Sequence, residues 1–160
     1  MNKIEELEKQ AKEILEEIEK LKSEGESKVW KLKENEIYFN IFSWGEIGSS
    51  LWNGCEADEE RYEMGNCFKT KEEAEAAVKK FKIYTQLKRL AEEINTEPID
   101  WENENQPKFF IGYNHYHKEF LQNTSWSSEE VGTIYSTNKD FKDIVLERIG
   151  EENLLNLFKE

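Results

Sequence analysis

The tightest constraint in the sequence is the stretch Met64 to Asn95, M-G-N-C-F-K-T-K-E-E-A-E-A-A-V-K-K-F-K-I-Y-T-Q-L-K-R-L-A-E-E-I-N. Thr70 with Glu73 in the third position after it makes a capping box, which satisfies free amides at a helix start. Ala74, Ala77, Val78, Phe81, Tyr84, Leu87, Leu90, Ala91 and Ile94 then recur at steps of three and four. Lys79, Lys80, Lys82, Lys88, Glu92 and Glu93 fall outside that stripe. The pattern predicts one amphipathic helix on the order of 35 Å long. Asn95 suits a left-handed helix end, and Pro98 prevents much continuation. Met64–Lys69 reads as a strand leading into the helix. A helix of this length, apolar along one side, needs sheet or helix to cover it, and the rest of the chain supplies candidates.

Strand signals lie on both sides. Ile37–Phe42 is rich in β-branched and aromatic residues, and Ile47–Trp52 returns after a turn at Ser43–Glu46. Downstream, Lys108–Tyr113, Phe120–Thr124 and Val131–Ser136 read as strands, with a turn over His115–Glu119. Thr137 with Asp140 repeats the cap signal ahead of Phe141, Ile144, Val145 and Ile149, and Gly150 ends that helix. Asn153–Phe158 adds a short apolar helical tail.

The two halves are in register. Trp30, Tyr38, Phe39 and Phe42 match Trp101, Phe109, Phe110 and Tyr113 at one offset. Gly65, Phe68, Thr70, Glu73 and Val78 match Gly132, Tyr135, Thr137, Asp140 and Val145 at a second. This predicts an internal duplication. The expected fold is α+β, with two similar β-hairpin–strand–helix modules at residues 28–96 and 100–160. They follow an N-terminal helix over residues 1–24. That helix carries Ile4, Leu7, Ala11, Ile14, Ile18 and Leu21 at heptad spacing, with Leu15 widening the stripe. The stripe suits either dimerisation or docking on the same chain.

The first copy has an insertion, Asn53–Glu63 (N-G-C-E-A-D-E-E-R-Y-E), which reads as a long acidic loop available for function. A net charge of −13 disfavours general binding to nucleic-acid phosphates. It also lets the protein itself occupy a site built for nucleic acid. The charged N-terminus lacks a secretory pattern, and no apolar run approaches the roughly 20 residues needed to cross a bilayer. The two cysteines, Cys55 and Cys67, are expected as free thiols in a reducing cytoplasm.

Trp30, Tyr38, Ile41, Trp52, Asp58, Arg61, Tyr62, Gly65, Asn66, Phe68, Thr70, Glu72, Glu73, Ala74 and Glu75 make the pattern W…Y-x-x-I…W…D-x-x-R-Y-x-x-G-N-x-F-x-T-x-E-E-A-E. This resembles a group of small proteins encoded by phages and prophages of low-GC Gram-positive bacteria. Trp101, Asn105-Gln106, Gly132, Ile134-Tyr135 and Ile149-Gly150-Glu151-Glu152 extend the resemblance through the second half. Leu32 stands where the group commonly has Pro. The resemblance implies a phage-like genome and a bacterial cytoplasm, and it brings no catalytic residues with it.

Catalytic chemistry has little support. His115 and His117 with Cys55 and Cys67 lack the close Cys pairing of a zinc site. Cys67 aligns with Ile134, as a small buried residue would. Gly65-Asn66 lacks the further glycines and Lys of a phosphate loop. The expected protein is non-enzymatic, without cofactor or metal. It binds and inhibits a bacterial host protein, most concretely a nucleic-acid-binding nuclease of a defence system, as anti-CRISPR proteins do. The expected contact residues are Trp52, Glu56, Asp58, Glu59, Glu60 and Glu63. The alternatives are a nucleic-acid-associated phage accessory protein using Lys79, Lys80, Lys82, Lys88 and Arg89, or a homodimeric coiled-coil scaffold.

Overall fold

The computed structural model describes Lys12, Ile14, Leu15 and residues 30–159. It shows a mixed α+β fold with two small antiparallel sheets. Most of the expected N-terminal stripe, Ile4, Leu7, Ala11, Ile18 and Leu21, lies outside the described residues. Ile14 and Leu15 are helical and exposed.

The first sheet pairs β1 (Ile37–Ile41) with β2 (Ile47–Leu51). The Phe42 ring lies against Gly48, where an added Cβ would come within 2.6 Å of ring atoms and would have to displace this partly exposed ring. The strand expected over Met64–Lys69 contracts to a bridge between Phe68 and Phe39. Beside it, the Asn66 amide replaces a strand's backbone: its Oδ1 accepts from the Ile41 N–H at 2.8 Å and its Nδ2 donates to the Ile41 carbonyl at 2.9 Å. The turn at Gly65 and the helix starting at Lys71 leave no length for a longer ladder.

The segment expected as an acidic loop is instead helical: α1 spans Glu56–Glu63. Asp58 and Glu59 in its first turn and Arg61 in its last complement the helix dipole. The long helix α2 (Lys71–Ile94) has 24 residues and so rises about 36 Å. Thr70 Oγ1 accepts from the Glu73 amide at 3.2 Å, and Glu73 Oε2 reaches back to the Lys69 amide at 2.9 Å. Thr70→Ala is expected to cost about 1 kcal/mol in denaturant unfolding; an unchanged midpoint would show the cap to be idle.

One stripe was expected on α2, and two are found. Ala74 is buried with Ala77 and Val78 partly covered, whereas farther along the covered residues are Ile83, Leu87, Leu90, Ala91 and Ile94. Ala74 and Ile83 are about two and a half turns apart, so they sit on opposite sides of the helix. The cause is a change of partner: α2 packs on β1 and β2 and also on β5 and the following helix. Phe81 extends the first face beyond its partner and is 72% exposed, and Tyr84 is also exposed.

The second sheet has the order β4-β3-β5, from β3 (Lys108–Asn114), β4 (Glu119–Ser125) and β5 (Tyr135–Ser136). The strand expected from Val131 begins only at Tyr135, and Val131 is fully exposed. Two short helices, α3 (Phe141–Arg148) and α4 (Glu151–Leu155), close the core with α2. Leu87, Leu90, Ala91, Phe120, Phe141, Val145 and Leu154 form that core. Beyond it, Lys108 is fully buried, and its ammonium donates to the Asn103 and Trp126 carbonyls at 2.9 and 2.7 Å. It also stands 5.3 Å from the Trp101 ring, so carbonyl dipoles and an aromatic face take the place of a counter-ion.

Two expected caps differ. Asn95 has φ −55° and ψ 128°, not a left-handed conformation. Thr137 does not cap α3, whose N-cap is Asp140. Both instead tie the end of α2 to β5: Asn95 Oδ1 accepts from Ser136 Oγ at 2.8 Å and from the Thr137 amide at 3.0 Å. Thr137 Oγ1 donates to the Glu97 carbonyl at 3.0 Å.

Candidate functional site

The chemistry of α1 divides by face. Residues 58, 61 and 62 lie on one side of a 3.6-residue helix, and residues 56, 59, 60 and 63 lie on the other. The inward side is a polar lock. Tyr38, fully buried, donates its hydroxyl to Asp58 Oδ1 at 2.6 Å, and the Asn53 amide donates to Asp58 Oδ2 at 2.9 Å. Arg61 Nη1 donates to Tyr38 Oη at 2.8 Å and lies 3.4 Å from Asp58 Oδ1. Tyr62 donates its hydroxyl to the Trp30 carbonyl at 2.8 Å.

These contacts set the protonation states. The Asn53 amide, then the Tyr38 hydroxyl, hold Asp58 below its usual carboxylate range. Burial, then the bond to Asp58, pushes Tyr38 up. Burial also pushes the Cys67 thiol up, away from reactive thiolate character.

The expected contact residues therefore separate. Asp58 is only 3% exposed and is committed to holding α1, so it drops out of the contact surface. Trp52 is half-buried, with its ring edge-on to Tyr38 at 6.1 Å and to Tyr62 at 6.0 Å. It still meets Glu59 at a shallow cleft of about 190 Å³ lined also by Lys31, Leu32 and Tyr62. Glu56, Glu59, Glu60 and Glu63 are exposed and share one face. Residues three and four apart on a helix surface have Cβ atoms about 5–6 Å apart. These carboxylates are expected on a loop; the helix instead separates them from Asp58, which turns inward. The signal was present in the i, i+3, i+4, i+7 spacing of the outward acids.

The other candidates do not assemble. His115 and His117 are exposed at the β3–β4 turn, each beside a tyrosine ring. Cys55 is exposed and Cys67 partly buried. Among the described residues, no group of three or more His, Cys, Asp or Glu side chains is placed to hold a metal. Lys79, Lys80, Lys82, Lys88 and Arg89 are distributed around α2 and not on one face. Lys80 donates to the Lys159 carbonyl, and Arg89 lines a recess with Glu93 and Arg148. Among the described residues, no helix is long and apolar enough to cross a membrane.

Comparison with known proteins finds no matching family model, no matching curated protein and no matching solved structure.

Proposed function

We propose that this chain is a non-enzymatic, phage- or prophage-encoded inhibitor that acts in the cytoplasm of a bacterial host. Its target is a host protein that binds nucleic acid, most concretely a defence nuclease. The observation that carries the reading is the acidic face of α1. From Glu56 to Glu63 the helix rises about 10.5 Å, so the outward carboxylates average about 3.5 Å of rise per charge. A DNA strand carries one phosphate per about 3.4 Å of rise. The face thus presents a row of negative charge at the linear density of a nucleic-acid strand. It does so from a helix held by the Tyr38–Asp58–Arg61 lock, so little ordering entropy is lost on contact.

The same reading includes an origin by duplication. Phe39 and Phe110 were aligned in sequence, as were Phe68 and Tyr135; Phe39 pairs with Phe68, and Phe110 pairs with Tyr135. Gly65 and Gly132, also aligned, both have positive φ, at 71° and 79°. Against this background α1 is the addition peculiar to the first half, and the acidic face lies on it.

The test is affinity capture from a Gram-positive host lysate, with and without nuclease treatment, followed by the variant Glu56→Lys/Glu59→Lys/Glu60→Lys/Glu63→Lys. A stoichiometric protein partner should survive nuclease treatment. Its affinity should fall on the order of 100-fold in the variant, and should weaken with salt in the parent. Capture that depends on nucleic acid, or a partner that binds the variant equally well, rejects the reading.

A further inference from the structure

The outer edge of β2 is the surface that the proposed inhibitor reading leaves unused. Phe42 donates its amide to the Glu46 carbonyl at 2.8 Å, and Trp52 donates to Glu36 at 2.9 Å. In an antiparallel ladder, alternate residues bond inward. Glu46, Gly48, Ser50 and Trp52 therefore face β1, and the N–H and C=O groups of Ile47, Ser49 and Leu51 point outward. Among the described residues, none of those outward groups has a backbone or side-chain partner. The strand reads I-G-S-S-L, with no charge and no proline to guard it. Of the two outer strands of the other sheet, β4 differs in beginning with Glu119 and β5 is only two residues long.

An unguarded edge calls for an extended strand, and the sequence of β2 specifies which. Ile47 and Leu51 are placed symmetrically about Ser49. Laid antiparallel on itself with Ser49 against Ser49 of a second copy, β2 puts Ile47 opposite Leu51 of the second copy and Leu51 opposite its Ile47. All three pairs then fall in register for two bonds each, as a two-fold interface requires. Side chains complete the match. Within one chain Ile41 stands opposite Ile47, and Ile37 opposite Leu51. In the pairing, Ile41, Ile47, then Leu51 and Ile37 of the second copy form one apolar row, and the symmetric row lies beyond Ser49. Ile37 and Leu51 are 59% and 57% exposed in the single chain, although both are large and apolar. No carboxylate meets another in this register. Glu46 falls beside Trp52 of the second copy and already accepts from Trp44 Nε1 at 2.8 Å.

We infer that the chain forms a homodimer by antiparallel pairing of its β2 edges, giving a continuous four-stranded sheet across the two-fold axis. The net charge of −13 on each copy opposes association, so the dimer tightens as salt screens that repulsion. This salt response is opposite in sign to that expected of the acidic face with its target, so either reading can fail without the other.

The experiment is sedimentation equilibrium of the full chain over a wide concentration range, at low salt and at roughly 0.5 M salt. The mass should rise from 19.1 kDa towards twice that value, more readily at high salt. Ser49→Pro removes an outward amide, a change edge strands tolerate, and Leu51→Lys places a charge in the apolar row. Each should weaken dimerisation at least tenfold while the circular dichroism spectrum and melting temperature hold. Ser49→Cys, in a chain also carrying Cys55→Ser, should form an interchain disulfide on mild oxidation. Opposed Cα atoms in such a pair are about 5.5 Å apart, within disulfide reach. A parent that stays monomeric throughout overturns the inference. So does a dimer that resists both substitutions and does not cross-link at Ser49, which would place the seam on the N-terminal stripe. An edge that becomes protected only when a different protein is added overturns it as well.

Discussion

Phe141→Ala is expected to lower the free energy of unfolding by about 4 kcal/mol, while Phe81→Ala changes it by less than about 0.5 kcal/mol. The two residues are chemically identical and both fall on helical apolar stripes. Phe141 has no exposed surface and sits among Leu87, Leu90, Phe120, Val145 and Leu154. Truncating it removes the transfer energy of a ring and leaves a cavity among α2, β4 and α4 that those elements cannot fully close. Phe81 is 72% exposed, so most of its ring gains nothing from folding. A domain of this size is stable by roughly 5–15 kcal/mol, so the first substitution consumes a large share of the total. Urea unfolding of both variants is the measurement. Equal losses would mean that Phe81 is covered and that α2 has a single apolar stripe.

Asp58→Ala is expected to cost about 3 kcal/mol, against less than about 0.5 kcal/mol for Glu59→Ala or Glu60→Ala on the same helix. Removing the carboxylate leaves the Tyr38 hydroxyl without its acceptor and the Arg61 guanidinium without its ion-pair partner, both in contact with the core side of α1. Among the described residues, the side chains of Glu59 and Glu60 have no such partners to strand. The lock also sets the pH response. The folded state depresses the Asp58 pKa, so its contribution is complete above the usual carboxylate value near 4 and is lost as pH falls through the folded value. The folded state raises the Tyr38 pKa, so its contribution is complete below about 10 and is lost as pH rises through the folded value. The denaturation midpoint should therefore be flat from about pH 5 to 8 and fall on either side, the raised Cys67 thiol adding to the alkaline limb. In Asp58→Asn the acid limb should shrink. An unaltered acid limb in that variant would assign it to other carboxylates.

How much of this was legible in the sequence can be judged residue by residue. The α2 cap at Thr70 and Glu73, the two hairpins and the helix end at Gly150 follow from short-range chemistry. Turn geometry, capping bonds and strand alternation involve neighbours a few residues apart, so local sequence carries them. The acidity of residues 56–63 was equally plain. Three features were not legible. α1 lacks an apolar stripe, because its inward side is Asp58, Arg61 and Tyr62, and hydrophobic periodicity is silent about a helix anchored by polar bonds. The spacing favours Phe81 and Tyr84 over the buried Ile83, because steps of three and four cannot tell one stripe from two when the partner changes side along the helix. Thr137 looked like a cap because it has the residue type and spacing of one. The distant backbone of Thr96 and Glu97 claimed its hydroxyl instead.

The sequence by itself determined the long helix with its Thr70–Glu73 cap, the two hairpins and the acidic charge, all properties of residues close together in the chain. Only the tertiary structure decided which carboxylate turns inward, which side of α2 each half occupies and which strand edge is left open. Those outcomes depend on contacts between residues tens of positions apart, where burial and hydrogen-bond satisfaction outweigh local propensity.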